Sequence, residues 1–334
     1  MLNLRDLRNL RNFRNFSQLE ARMISHQPVM LSEMLDWLRP QDKGVYIDGT
    51  FGAGGYSRAI LTAADCQVFA IDRDPSTRRF AETLEQEFPG RFVWILGNFA
   101  DMCHLVAMHG VRHVQGVVLD LGVSSMQLDQ PERGFSFRKD GPLDMRMGEG
   151  GLSAADVVNE AGESEIADIL YYYGEEKAAR AIARAIVAER AKAPITRTAQ
   201  LAAIIHQVLG HKHSKSDPAT RSFQALRIHI NQEFESIERG LSAAGSLLSP
   251  GGRLVVVTFH SLEDRLVKRH YHSRCGRLGE PSRHVPRHKA SSEAPHFFLP
   301  RPEKRSASDA ELETNPRARS ATMRMMERMQ EAEL

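Results

Sequence analysis

Short apolar runs alternate with amphipathic stretches along residues 31–128, a pattern typical of a parallel α/β sheet. An amphipathic helix begins at Leu31, and another helix is predicted over Pro75–Glu87. Because a central parallel strand is buried on both faces, the uninterrupted apolar runs predict strands. The predicted strands are Val45–Asp48, Val68–Ile71, Phe92–Leu96 and Gly116–Leu119.

Beyond the fourth strand a loop rich in Gly and Pro leads into helices with no strand between them. The first of these helices is predicted over Glu175–Lys192. Thr198 and Gly210 are predicted to cap the second, since a hydroxyl accepts from a free N–H and glycine adopts the left-handed conformation. The third is predicted to begin with Asp217 as its cap and to run through Leu241.

Arg253–Phe259 is an apolar run after a Pro-Gly-Gly turn and predicts a central strand, so the sheet resumes after the helices. The helices are therefore an insertion in an α/β domain. We assign the two parts of that domain to residues 26–130 and 241–334. The inserted helical domain, 131–240, is expected to recognise the substrate.

Residues 1–22 repeat a triplet of the Leu-Arg-Asn type. A period of three drifts around a helix, so its apolar side chains do not form one face. We therefore predict a mobile arm over residues 1–25. Two alternatives stay open, which are a mitochondrial transit peptide and translation that begins at Met23.

Composition favours an ordinary globular protein of a reducing compartment. Of 334 residues, 42% are hydrophobic and 26% are charged, so a sizeable core can form. No apolar run approaches the roughly 18 residues that a membrane helix needs. Cys66, Cys103 and Cys275 are odd in number and form no CxxC motif, which argues against a disulfide framework. We predict a cytoplasmic protein without membrane contact.

Positive charge is concentrated in the segment 265–305, although the formal net charge is only +2. Eleven Lys and Arg residues there face three Glu residues, a local excess of +8. Such an excess suits a polyanion, and a solvated basic loop is the alternative. The segment also contains five residues that could be drawn as a zinc site, but their spacing matches no standard finger, so we expect no metal. These five are His270, His272, Cys275, His284 and His288.

A glycine-rich loop between the first strand and the next helix predicts a nucleoside site. Glycine lets the backbone approach a ligand, and Asp72 at the end of the second strand can accept from ribose hydroxyls. No Lys follows these glycines, which excludes an ATPase phosphate loop, and Ser57 departs from the dinucleotide fingerprint. Asp48 would repel a pyrophosphate but suits the ammonium of S-adenosylmethionine, which we therefore favour over NAD. Glycines that only serve a tight turn are the alternative.

Two more polar clusters follow strands of the same sheet edge, where a doubly wound sheet binds its ligands. Asp120, after the fourth strand, is predicted to contact the cofactor or to accept a hydrogen from the substrate. Ser124 is a candidate for the same chemistry or for a helix cap. After the fifth strand, residues 260–265 are candidates to line the substrate cleft, and Ser261 with Asp264 also fits a capping box.

Eight ordered segments resemble the bacterial 16S ribosomal RNA (cytosine-N4)-methyltransferase family. The resemblance extends from His26 to Arg328 and implies a class I, Rossmann-like S-adenosylmethionine methyltransferase sheet with an inserted all-helical domain. The segments are Asp48–Gly55, Ile71–Pro75, Leu119–Ser125, Glu132–Phe137, Asp140–Met147, Pro218–Arg227, Phe259–Arg265 and Asn315–Ser320.

The resemblance also implies a set of cofactor contacts. Tyr56 stands where the family has His, which puts a side-chain role there in doubt, and Met126 replaces the usual Pro beside Gln127. The implied cofactor-binding residues are Gly54, Gly55, Tyr56, Asp72, Phe99, Asp120 and Gln127.

The implied activity is methyl transfer from S-adenosylmethionine to the exocyclic N4 amine of a cytidine in the decoding, or peptidyl-site, region of 16S ribosomal RNA. The partner would be the small ribosomal subunit, and a homodimer is compatible with the sequence. Asp120 and the region of Ser124 are the candidates that act on the amine. The alternatives are methylation of an amine in DNA or protein, and a non-catalytic ribosome-assembly factor with a cofactor pocket.

Overall fold

A computed structural model describes residues 28–210, 217–277 and 296–330 of the 334-residue chain. The predicted arm, at residues 1–25, lies outside the described residues. So does the centre of the basic segment, which contains His284 and His288.

One mixed sheet forms the centre of the protein, with strand order β3-β2-β1-β4-β5-β8-β6 and β7 paired with β8. Neighbours among β1 to β5 are parallel, whereas β8 runs antiparallel to β5. Strand order reverses between β1 and β4, where such a sheet binds ligands. The strands are β1 Val45–Asp48, β2 Gln67–Asp72, β3 Phe92–Leu96, β4 Val114–Asp120, β5 Leu248–Thr258, β6 Phe297–Phe298, β7 Arg305–Ser306 and β8 Thr322–Arg328.

All five predicted strands are confirmed, with ends that differ by a few residues at most except at the start of β5. The apolar runs are buried on both faces, as a central parallel strand requires. Val118 of β4 contributes to the core on one face, and its neighbours Val117 and Leu119 contribute to the core on the other. The α/β prediction for the sheet is therefore confirmed.

Helices cover both faces of this sheet. One face packs against α1 Leu31–Leu38, α2 Gly55–Ala63 and α3 Arg78–Glu87, the last of which follows a 3₁₀ turn at Pro75–Thr77. The other face packs against three more helices. These are α4 Met102–Ala107, α11 Glu233–Leu247 and α12 Ser261–Arg274. A short helix, α13 Asp309–Thr314, precedes β8.

The described residues between β4 and α11 form six helices, and from residue 135 onward this segment has a hydrophobic core of its own. Side chains such as Leu143, Ile182 and Leu226 are buried in it. The helices are α5 Ser125–Asp129, α6 Ala154–Glu160, α7 Glu163–Gly174, α8 Ala179–Arg190, α9 Thr198–Leu209 and α10 Thr220–Ile230. The domain boundaries at 131 and 240 stay predictions.

Two of the predicted helices were wrong in their extent, and for the same reason. Glu175 is not the start of a helix but the left-handed residue that ends α7, with φ 49°. The long third helix is broken at Gln232, with φ 50°, into α10 and α11. The breaks span residues 175–178 and 231–232, and neither is marked in the apolar spacing. A non-glycine residue with positive φ leaves no signal in that spacing.

The predicted caps were displaced by one or two residues. Thr198 is the first residue of α9 and is buried, and Arg197 occupies the N-cap. His260 rather than Ser261 is the N-cap of α12, with Glu263 rather than Asp264 at the third helical position. Gly210 does end α9 as predicted. None of the helices in the described part of the chain is long and apolar enough to cross a membrane.

Candidate active site

The carboxyl ends of β1, β2, β4 and β5 meet at one edge of the sheet, where the predicted site residues lie. In the register, Asp48 pairs with Ala70 and Val118, so Asp72 and Asp120 each extend two residues beyond it on either side. The sheet therefore brings three carboxylates from separate parts of the sequence to the same edge.

The loop after β1 has the tight backbone that its glycines predict. Gly52 and Gly54 have φ 55° and 82°, and Gly54 is the N-cap of α2. A Cβ atom at Gly54 would lie 2.8 Å from the ring of Phe51. One at Gly55 would lie 2.1 Å from Pro28. Both positions therefore need glycine for close packing, and at Gly54 for its conformation as well.

Asp72 joins this loop to the end of β2. Its Oδ2 accepts from the Gly52 N–H at 2.7 Å, and its Oδ1 accepts from the Asp74 N–H at 2.9 Å. Burial raises the pKa of Asp72 to about 6, although these two hydrogen bonds act to lower it. The carboxylate is thus fixed beside the glycine loop, and each oxygen retains a further lone pair for a ligand hydroxyl.

Asp48 is completely buried and supports the loop from within. Its Oδ2 accepts from the Ser57 hydroxyl at 2.7 Å, and its Oδ1 accepts from the Thr50 N–H at 3.2 Å. Burial raises its pKa to about 6. The expected contact with a ligand ammonium is therefore replaced by contacts within the protein, and Asp48 acts on the site through its charge.

Asp120 has a different environment, because one of its carboxylate oxygens has no partner. Its backbone N–H donates to the Thr50 hydroxyl at 2.6 Å. Its Oδ1 is buried and accepts no hydrogen bond from any described residue. Burial, followed by the negative charges of Asp48 and Glu263, raises the pKa of Asp120 to about 8. Such a group suits a cation or a hydrogen-bond donor supplied by a ligand.

Gln127 and Ser124 lie in the turn that begins α5. Ser124 is the N-cap, and its hydroxyl accepts from the Gln127 N–H at 3.2 Å, so the capping interpretation is confirmed. Gln127 is buried, and its Nε2 donates to Asp74 Oδ2 at 3.0 Å. The same oxygen accepts from Arg133 at 2.7 Å. Burial opposes the charge of Asp74, but these hydrogen bonds outweigh it and lower its pKa.

Phe99 is clamped between two glycines. A Cβ at Gly240 of α11 would lie 2.4 Å from the Phe99 ring, and one at Gly49 would lie 3.1 Å from the Phe99 Cβ. Neighbouring Asn98 donates to the Ser236 hydroxyl at 2.9 Å. The turn after β3 is thereby tied to α11.

The Tyr56 side chain is not available for contact with a ligand. It is buried, and its hydroxyl donates to the backbone carbonyl of Val29. Burial raises its pKa well above the ordinary value, so it stays neutral. Only the backbone of Tyr56 is therefore available for contact with a ligand at the glycine loop.

Sequence reasoning missed a buried polar network beside this edge. Arg227 pairs with Glu233 through two contacts of 2.8 Å, and only 14% of its side chain is exposed. Glu263 is fully buried next to His260. Asn231, also buried, accepts from the Met147 N–H at 2.8 Å. In the sequence, only the polar cluster after β5 indicated this network.

Much of the positive charge on α12 is already paired. Arg265, Arg269 and Arg277 each contact a glutamate, at 3.1, 2.7 and 2.7 Å. No group of three His, Cys, Asp or Glu among the described residues could hold a metal. The centre of the basic segment, residues 278–295, lies outside the described residues.

The strand order, the glycine loop and the acid after β2 define a class I methyltransferase with a nucleoside cofactor. The three carboxylates, one with an unpartnered oxygen, fit a cofactor that carries positive charge on sulfur. The chain belongs to the MraW methylase family, whose sequence model matches residues 23–329. Its cofactor is S-adenosylmethionine.

Relatives named "Ribosomal RNA small subunit methyltransferase H" match nearly the whole chain. One from Rhodospirillum rubrum is 55% identical and covers 91% of this chain and 94% of its own. One from Parvibaculum lavamentivorans is 56% identical over 91% of this chain and 89% of its own. The crystal structure of an rRNA methylase from Streptococcus thermophilus has a TM-score of 0.36 at 11% identity, covering 90% of this chain and 93% of that one.

Proposed function

We propose that the chain transfers a methyl group from S-adenosylmethionine to the exocyclic N4 amine of a cytidine in the decoding, or peptidyl-site, region of 16S ribosomal RNA in the small subunit. Family membership and the names of the relatives support the ribosomal RNA substrate. The observation that carries the chemistry is the buried, unpartnered Asp120 Oδ1. It is an acceptor without a donor, beside the loop that approaches the cofactor.

The cofactor would be held by the loop and the two flanking strands. Backbone groups of Gly54, Gly55 and Tyr56 are placed to approach it, and Asp72 is placed to accept from its ribose hydroxyls. Phe99 and Gln127 would close the sides of the site. When bound, the cofactor supplies an electrophilic methyl group on a positively charged sulfur.

Asp120 would accept a proton from the cytidine N4 amine. The amine lone pair is delocalised into the ring, so an acceptor aimed at an amine hydrogen raises its nucleophilicity. The Ser124 hydroxyl caps α5. In this region the backbone carbonyls near Ser124, rather than its hydroxyl, would therefore act on the amine. The base must leave its stack to reach this edge.

The helical segment after β4 would present the RNA to this edge, and basic residues of α12 would contact phosphates. Arg221 is the exposed arginine of α10 that remains for that surface, since Arg227 is buried. A small-subunit substrate places the protein in the cytoplasm, and a homodimer stays a prediction.

Methylation assays with labelled S-adenosylmethionine test the proposal. Small subunits, naked 16S RNA and DNA are each incubated with enzyme, and the digested nucleosides are separated. We expect label in N4-methylcytidine from the small subunit, and at least a hundredfold loss with Asp120→Asn at saturating cofactor, which fits the usual effect of a catalytic acid or base. Label in DNA or protein would favour the amine alternative. Subunit binding without any transfer would favour a non-catalytic assembly factor.

Calorimetry tests the cofactor site independently of activity. Asp72→Ala is expected to weaken the binding of S-adenosylmethionine by tenfold or more, because two charge-assisted hydrogen bonds are lost. Equal affinity after this substitution would contradict the proposed binding mode.

A further inference from the structure

Glu263 is a fully buried carboxylate in the first turn of α12, and the proposed reaction does not use it. Its Oε2 accepts from the backbone N–H groups of Phe259, at 2.9 Å, and His260, at 3.3 Å. Its Oε1 lies 3.0 Å from His260 Nε2, without the alignment of a hydrogen bond, and 3.9 Å from Arg227 Nη2. These groups hold the carboxylate in one orientation.

The same groups keep Glu263 ionised. Burial opposes its charge, but His260, Arg227 and the Phe259 N–H outweigh that effect and lower its pKa. Arg227 is shared with Glu233, which it contacts twice at 2.8 Å. One cation therefore serves two carboxylates, and a negative charge remains in the buried network.

That charge faces Asp120. Asp120 of β4 pairs with Val257 of the neighbouring strand β5, and Glu263 follows the end of β5. Glu263 Oε1 lies beside the backbone of Gly122, two residues after Asp120, since a Cβ atom at Gly122 would be 3.7 Å from it. Asp120 Oδ1 and Glu263 Oε1 are both buried without a hydrogen-bond partner among the described residues. Both carboxylates are thus buried near the ends of neighbouring strands, and the charge of Glu263 contributes to the raised pKa of Asp120.

We infer that Glu263 is a positioning residue whose fixed negative charge favours transfer of the amine proton to Asp120. The inference rests on the proposed function, because it needs Asp120 as the acceptor. In that step the N4 nitrogen bonds to the methyl carbon while the sulfur–methyl bond breaks and its electron pair remains on sulfur. One N4 proton passes to the Asp120 carboxylate. Repulsion between Asp120 and Glu263 then falls, which drives the transfer.

Asp48 is the other negative charge that acts on Asp120, and its effect is the larger of the two. Asp48 also supports the glycine loop through Ser57 and Thr50, so replacing it would disturb that loop as well. Tyr56 of α2 is neutral, since burial raises its pKa well above the ordinary range. His260 and Arg227 act on Glu263. Glu263 is the opposed carboxylate whose removal leaves the glycine loop intact.

The test is the pH profile of single-turnover methyl transfer to small subunits by Glu263→Gln, at saturating S-adenosylmethionine. Removing the charge should move the rising limb of the profile to lower pH by about one unit and reduce the plateau several-fold. The apparent affinities for both substrates should stay within twofold. Glu263→Asp, which restores a charge, should return the limb toward its original position.

Glu233→Gln is the matched control, because Glu233 belongs to the same network but is not among the charges that raise the pKa of Asp120. It should keep the wild-type position of the limb. A Glu263→Gln profile that is lowered equally at every pH would overturn the inference and leave Glu263 a structural role. Full activity of Asp120→Asn would instead overturn the proposed function itself.

A second measurement needs no folded Glu263 variant. Carboxyl ¹³C signals of aspartate in the wild-type protein are titrated, and the Asp120 signal is assigned by its absence in Asp120→Asn. We expect it to titrate near pH 8, far above an ordinary aspartate. Titration below pH 5 would show that no opposed charge acts on Asp120.

Discussion

Binding of S-adenosylmethionine is expected to release a proton from Asp120. Burial and the charges of Asp48 and Glu263 raise the pKa of this carboxyl to about 8, so most of it is protonated at neutral pH before the cofactor binds. A positive charge placed within about 4–6 Å of a carboxylate lowers its pKa by roughly 1–3 units. The sulfonium therefore favours the ionised form, and the proton leaves.

The size of the effect follows from these values. With a pKa of about 8 before binding and roughly 5–7 after it, affinity should rise about 5- to 45-fold between pH 6 and pH 8. The sign is fixed, because a group whose pKa falls on binding makes binding tighter as pH rises. Asp48 and Asp72, with pKa values of about 6, are mostly ionised at pH 7 and add little there.

Isothermal titration calorimetry in two buffers of different ionisation enthalpy counts the released protons. We expect about half a proton to one proton per cofactor at pH 7, from the same linkage. S-adenosylhomocysteine is the control, because it has the same titrating amino group but a neutral sulfur. Asp120→Asn should remove the difference between the two ligands. Equal proton release by both ligands in the wild type would refute the reasoning.

Three further predictions concern stability. Gly240→Ala should lower the free energy of unfolding, measured by urea denaturation, by about 1–3 kcal/mol, because the new methyl would lie 2.4 Å from the Phe99 ring. Gly162→Ala is the control and should have little effect, since a Cβ atom at Gly162 would lie in open space. Asn231→Ala should cost about 2 kcal/mol in the same assay, since it leaves two buried backbone groups without partners. Arg133→Leu should cost about 3 kcal/mol at pH 7, and this difference should shrink as pH falls through the lowered pKa of its aspartate partner.

The sheet could be predicted from the sequence because its central strands are buried on both faces. Val117, Val118 and Leu119 leave no polar position that another structure could use, so the apolar run alone determines the element. The helix breaks could not be predicted in this way. Glu175 and Gln232 adopt positive φ, a backbone conformation that the spacing of apolar residues does not reveal.

The residues of the candidate site also fall into those that the sequence predicts and those that it does not. Asp72 and Asp120 could be found because each directly follows a predicted strand, and the ends of parallel strands share one edge. Gly54 could be found because it belongs to the glycine-rich loop between the first strand and the next helix. The burial of Arg227 could not, since it depends on Glu233 beyond a helix break that the sequence concealed. Glu263 was concealed by a one-residue error in the predicted start of its helix, which placed Asp264 at the third helical position instead.

The break between α10 and α11 connects the inserted helices to the cofactor edge. Asn231, at the break, donates to the Met145 carbonyl and accepts from the Met147 N–H in the loop after β4. Its own carbonyl accepts from Arg73, the residue after Asp72, at 2.9 Å. Since the loop, the helix break and the end of β2 share these bonds, a shift of the inserted helices must be transmitted to the cofactor edge. A continuous helix, as the apolar spacing suggests, would have no such connection.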